Sequence, residues 1–172
     1  VLLRADPLAR QGREGTPALT GGKKSVDKRP PPRYTDFKTA FGREENTMKN
    51  GRCKVVLVGL GFGGAFAPIW KDHPAVTSFG ICDLDRGLAE KVAKLYGIES
   101  VYDSFEDVLA DPEVDAVHLV TAIPDHAAQT VRVLRAGKHC ACTVPMAPSL
   151  EDVQAILDAE RESGKHFMMM ET

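Results

Sequence analysis

The sequence predicts a doubly wound α/β fold: an open parallel sheet with helices on both faces. Three observations carry that expectation. From Cys53 onward, short apolar runs alternate with amphipathic helical stretches, the pattern of a parallel sheet covered on both sides. The first run, Val55-Val56-Leu57-Val58, leads straight into Gly59-Leu60-Gly61-Phe62-Gly63-Gly64. The second run ends on an acid, Asp83, 19 positions after Gly64. Glycines at 59, 61 and 64 let a strand turn sharply, bring backbone N–H groups against a diphosphate, and let the next helix pack close to the sheet. A carboxylate at that distance accepts hydrogen bonds from an adenosine ribose.

Each element can be justified in turn. Cys53 to Val58 is the first strand. Gly63 to about Lys71 is the first helix, short and locally disturbed, because Pro68 removes a donor beyond the first turn. Val76 to Cys82 is the second strand, and Arg86 to Tyr96 is an amphipathic helix through Leu88, Val92 and Leu95 with Gly97 as its stop. Ser100 to Tyr102 is a short third strand. Ser104-Phe105-Glu106-Asp107 opens a helix of one or two turns, which Asp111-Pro112 ends. Asp115 to Thr121 is the fourth strand, followed by a helix from Asp125 to Ala136 that closes at Gly137. Lys138 to Cys142 is the fifth strand. Ser149 caps a long helix reaching Ser163, with Gly164 as its stop, and His166 to Glu171 is the sixth strand. Six strands joined by such crossovers match the order 3-2-1-4-5-6 of the Rossmann fold, where ligands sit at the carboxyl ends of strands one and four.

Charge and composition narrow the function. Residues 1 to 47 carry ten Lys/Arg against six Asp/Glu, and residues 48 to 172 carry twelve against eighteen. An acidic body offers no electrostatic footprint for nucleic acid. No run approaches the ~20 apolar residues that span a bilayer, and no secretory signal core opens the chain, so a soluble cytoplasmic protein is expected. Cys53, Cys82, Cys140 and Cys142 show neither a C-x-x-C pair nor metal-ligand spacing, which predicts reduced core thiols and no metal. Residues 1 to 47 contain five Pro and five Gly with no sustained apolar period. They are expected to be a disordered extension, with Met48 as a natural start. The domain itself is expected over 48 to 172, and because the chain stops just past the sixth strand, a following domain is expected to be lost.

Three further stretches extend the pattern: Thr121-Ala122-Ile123-Pro124-Asp125-His126, Ala136-Gly137-Lys138-His139, and Cys142-Thr143-Val144-Pro145-Met146-Ala147. With the glycine loop they resemble, in order and spacing, the motifs of the Gfo/Idh/MocA oxidoreductases. That resemblance covers Lys54 to Met170. It implies an N-terminal Rossmann domain binding NAD or NADP, a C-terminal domain supplying the substrate site, and a sugar or cyclitol-like alcohol as substrate. Thr121 and His126 match the family's T-P-x-x-x-H, with Ala122 in place of the proline. The family's E-K-P is Thr143-Val144-Pro145 here, so the lysine that assists deprotonation of the substrate hydroxyl is replaced by Val144. Valine can neither donate a hydrogen bond nor move a proton. The NAD-dependent N-acetylgalactosaminidases of the same family resemble the chain in that valine and in Met168-Met169-Met170-Glu171. They work by transient oxidation and elimination. A cofactor-binding module without chemistry is a third reading.

The site residues follow. Gly59, Gly61, Phe62, Gly63 and Gly64 are expected to cradle the pyrophosphate and Asp83 to hold the ribose, which favours NAD because an acid repels a 2′-phosphate. Arg86 leaves NADP open. By the resemblance, Thr121, Ile123, His126, Thr143 and Pro145 line the path toward the nicotinamide. His118, inside an apolar strand, is expected to be a hydrogen-bonded interior residue. The catalytic residues proper are unknown and expected on the missing half. An uncovered sheet face where that half docks would make the chain prone to associate, which leaves homo-oligomers open.

Overall fold

The computed structural model describes residues 53–171. The expected disorder of residues 1 to 47 and the role given to Met48 lie outside the described residues. Strands β1 (Cys53–Val58), β2 (Val76–Cys82), β3 (Ser100–Tyr102), β4 (Ala116–Leu119), β5 (His139–Thr143) and β6 (Phe167–Met170) form one sheet. Its order is β3-β2-β1-β4-β5-β6, with every pairing parallel, as the alternation of apolar runs and crossovers requires. Val58 pairs with both Cys82 and Leu119. The ends of β1, β2 and β4 are therefore level, and the chain leaves all three at one edge.

The helices are α1 (Ala67–Lys71), α2 (Arg86–Tyr96), α3 (Phe105–Ala110), α4 (His126–Arg135) and α5 (Leu150–Ser163). Their starts are chemically defined. Asp85, Ser104 and Ser149 each accept a backbone N–H with the side chain, from Leu88, Asp107 and Asp152 respectively, satisfying donors that the first turn leaves unpaired. The expected first helix is in two pieces, a 3₁₀ turn at Gly63–Phe66 and then α1. Pro68 stands in the first turn of α1 rather than beyond it, where its missing N–H is not needed. The expected helix from Asp125 likewise begins with a 3₁₀ turn, Ile123–Asp125, that contains Pro124. Strands β4, β5 and β6 start one residue later than expected, and β4 ends at Leu119 rather than Thr121.

The sheet separates two apolar layers. Val56, Val58, Val117, Leu119, Cys140 and Cys142 pack on one side with Val108 of α3, Val133 and Leu134 of α4, and Ala159 of α5. Val55, Leu57, Phe79 and Ile81 pack on the other with Leu60, Ala67 of α1, and Ala89 and Val92 of α2. Burying a side chain such as Leu57 or Ile81, both without exposed surface, contributes about 1.5 to 3 kcal/mol. No residue of β5 or β6 belongs to the second layer, and Met168 of β6 is exposed. All four cysteines are free thiols. Among the described residues no helix is long and apolar enough to cross a membrane.

Candidate cofactor site

The turn after β1 is fixed by contact with the end of β4. Gly59 has φ +89°, and a Cβ there would lie 2.4 Å from the Val120 carbonyl oxygen, so both backbone conformation and space demand glycine. A Cβ at Gly63 would lie 2.9 Å from the Val120 Cβ. At Gly64 the nearest atom would be Val92 Cγ2 at 3.8 Å, an ordinary contact. The close helix-to-sheet approach that the motif spacing assigns to its third glycine is therefore made by Gly63, with Gly64 less constrained. Gly61 is different in kind: a Cβ there would meet nothing within 4 Å. The loop presents open space at that point, and the N–H groups of Gly61, Phe62 and Gly63 find no acceptor among the described residues. Unpaired donors in a turn that leads into a helix fit an anionic diphosphate. Phe62 is exposed and makes an edge contact with Phe66, ring centroids 5.8 Å apart.

Asp83 is tied to this loop. Its Oδ2 accepts the Leu60 N–H at 2.6 Å and its Oδ1 accepts the Asp85 N–H at 2.8 Å. A carboxylate has about four acceptor positions, so two remain for ribose hydroxyls. The sequence motif places Asp83 beside the loop but gives no sign that it anchors Leu60. Arg86, the residue through which NADP stays open, is paired with Glu90 at 3.0 Å and with Asp103.

The second group of expected site residues gathers next to the glycine loop. A Cβ on Gly59 would also approach the Thr121 nitrogen at 3.1 Å, so the exits of β1 and β4 touch. The Thr121 hydroxyl donates to Gln129 Oε1 at 2.5 Å, a partner that motif reading missed although it lies one turn beyond His126 on α4. The Thr143 hydroxyl donates to the Leu119 carbonyl at 3.5 Å. His126 is 1 % exposed, with Nε2 3.0 Å from the Thr121 carbonyl oxygen and Nδ1 2.8 Å from that of Pro145. A neutral imidazole has one N–H for these two acceptors. The ring lies between the loop after β4 and the loop after β5, with a backbone carbonyl facing each nitrogen. Pro145 follows a cis peptide bond from Val144. Ile123 is exposed in the 3₁₀ turn.

Other chemically capable groups are held elsewhere. Burial pushes the Cys82 and Cys142 thiols up to about 11 and the Cys140 thiol to about 12, so none supplies a thiolate nucleophile near neutrality. Lys138 is buried, but it lies at the start of β5, where its Nζ donates to the Asp111 and Val114 carbonyls at 2.5 and 3.1 Å. It is at the opposite edge from Val144 and cannot replace the family lysine. His118 is an interior residue, as expected, whose Nδ1 accepts from Trp70 Nε1 at 2.9 Å while its Nε2 has no partner. A groove of about 250 Å³ lies between Lys71, Val76 and Gly97. It opens at the amino edge of β2, away from the glycine loop.

The profile of the oxidoreductase family Gfo/Idh/MocA, with its NAD-binding Rossmann fold, matches residues 53–171. The chain belongs to this family. Its cofactor is accordingly NAD. The chain is 39 % identical to the 1,5-anhydro-D-fructose reductase of Ensifer adhaerens over 89 residues, 52 % of this chain and 26 % of the reductase. It is 28 % identical to the inositol 2-dehydrogenase of Salmonella typhimurium over 120 residues, 68 % of this chain and 36 % of the dehydrogenase. Among solved structures, an NAD-binding protein from Listeria innocua superposes with a TM-score of 0.63 at 33 % identity, covering 69 % of this chain and 35 % of that one. The chain thus spans about a third or less of the length of these relatives.

Proposed function

We propose that residues 48 to 172 are the cofactor domain of an oxidoreductase acting on a sugar or cyclitol-like alcohol. When bound, NAD supplies a hydride acceptor and donor. In this reading Gly59, Gly61, Phe62, Gly63 and Gly64 face the pyrophosphate, and Asp83 orders the loop and accepts the ribose hydroxyls. Thr121, Ile123, Thr143 and Pro145 border the nicotinamide end, and His126 holds the two loops together. The observation that carries it is the open space over Gly61, bordered by unpaired N–H groups and by a carboxylate bonded to the same loop.

Val144 cannot assist proton transfer, so the groups that hold and deprotonate a substrate are assigned to a second domain of the whole enzyme. The small-molecule substrate, suggested by the reductase and the inositol dehydrogenase, and a cytoplasmic location, suggested by four unpaired thiols, belong to the same proposal. The reductase and the inositol dehydrogenase among the relatives support this reading rather than the glycosidase or a module without chemistry.

Calorimetric titration with NADH tests the site. The unaltered chain is expected to bind saturably. Gly61→Val is expected to lose at least about tenfold in affinity, because its side chain fills the diphosphate space, while keeping its unfolding temperature. Undiminished affinity in the variant would remove the loop from the site.

A further inference from the structure

We propose that Asp103 and Glu90 act as coenzyme-specificity residues by holding Arg86 away from the 2′ position of the adenosine ribose. The inference rests on the cofactor site proposed above. Arg86 opens α2 three residues after Asp83, the place from which a guanidinium would meet a 2′-phosphate if Asp83 is on the ribose. Its side chain is already committed on two sides. The Nε donates to Glu90 Oε1 at 3.0 Å, one turn along the same helix, and one terminal nitrogen donates to Asp103, in the turn after β3. Both contacts use N–H groups of the planar fork that phosphate recognition requires.

The surrounding charge has the same sign. Asp83, Asp85, Glu90 and Asp103 carry four negative charges against the single positive charge of Arg86. A 2′-phosphate adds about −1.5 to −2 at neutral pH, so NADPH meets repulsion and finds its natural cation engaged. NADH lacks that group and is indifferent to the arrangement. Asp83 alone is legible as an NAD determinant. The pairing across from β3 is not, because Asp103 reaches Arg86 only after β2 and β3 come side by side.

Both ion pairs are exposed, at 52 % for Arg86, 63 % for Glu90 and 82 % for Asp103, and exposed pairs are weak. The expected effect is correspondingly bounded. In the double variant Glu90→Gln/Asp103→Asn, NADPH affinity is expected to rise by about five- to tenfold, with NADH affinity changing by less than about twofold.

Adding Arg86→Ala to that double variant is expected to abolish the gain. This third substitution separates release of the guanidinium from simple removal of negative charge. Calorimetric titration of the full chain and both variants with NADH and NADPH reads all of these values. No gain for NADPH, or a gain that survives Arg86→Ala, overturns the inference and leaves the cofactor site standing. Failure of the unaltered chain to bind either dinucleotide overturns the cofactor site and the inference together.

Discussion

The two edges of the sheet are built by different physics. At the carboxyl edge, loops are held by close backbone approach, Gly59 and Gly63 against Val120, and by single side chains on backbone groups, Asp83 on the Leu60 N–H and His126 between the carbonyls of Thr121 and Pro145. At the amino edge, ionised side chains do the holding. Asp111 Oδ2 accepts from Lys54 Nζ at 2.9 Å and from the Tyr102 hydroxyl at 2.6 Å, Asp115 accepts the Lys54 N–H at 2.8 Å, and Lys138 donates to the Asp111 carbonyl. The amino edge also has the groove, whereas the dinucleotide site proposed above lies at the other edge. The contrast predicts that the carboxyl edge is sensitive to added atoms and the amino edge to removed charge.

The largest effect is expected at Gly59. Gly59→Ala combines an unfavourable positive φ with a clash against a carbonyl, and should cost more than about 3 kcal/mol in unfolding free energy while abolishing NADH binding. Denaturant unfolding and calorimetry check both. A stable, NADH-binding alanine variant would break the contrast.

Between the two edges lies His118, whose burial lowers its pKa from 6.5 to about 4. The unfolded chain takes up this proton first. Stability is therefore complete above pH 6.5 and falls as the pH drops toward 4, by at most about 3 kcal/mol. His139, lowered chiefly by burial, acts in the same direction. Unfolding midpoints measured across this range should fall less steeply in His118→Phe, whose neutral ring binds no proton.

A smaller loss is expected at the amino edge. Asp111→Asn weakens the contacts to Lys54 and Tyr102 and should cost about 1 to 2 kcal/mol at pH 7, with NADH affinity unchanged. Hydrogen bonds from Tyr102 and Lys54 hold the Asp111 carboxyl near 2, below its ordinary 3.8. Its contribution is full above pH 3.8 and is lost as the pH falls through 2, a window below that of His118. Reduced NADH affinity in this variant would show the two edges to be coupled. Least of all should change in Gly64→Ala, within about 0.5 kcal/mol, since its new Cβ makes only an ordinary contact with Val92. A loss as large as that of Gly59→Ala would return the close approach to Gly64.

The elements and strand order were legible because buried strands are continuous apolar runs and crossover helices are amphipathic. The sharp turn at Gly59 and the nearness of Asp83 to the loop were legible because their spacing along the chain is itself the constraint. What could not be read depends on partners distant in sequence. Gly63 displaces Gly64 as the packing glycine because of Val120. His126 turns inward because Pro145 and Thr121 both present carbonyls to it. Asp103 matters only through the neighbouring turn, and Pro68 is benign because the helix before it tightens into a 3₁₀ turn. Single-residue shifts at strand starts have the same origin, since pairing rather than propensity decides where a strand begins.

The hydrogen bond between Trp70 and His118 has a practical consequence. The chain contains one tryptophan, and its indole N–H is bonded to a buried imidazole at 2.9 Å. Protonation would turn that acceptor into a donor and place a positive charge beside the only indole fluorophore. The emission of Trp70 is thus an intrinsic optical reporter of interior proton uptake, readable without a label.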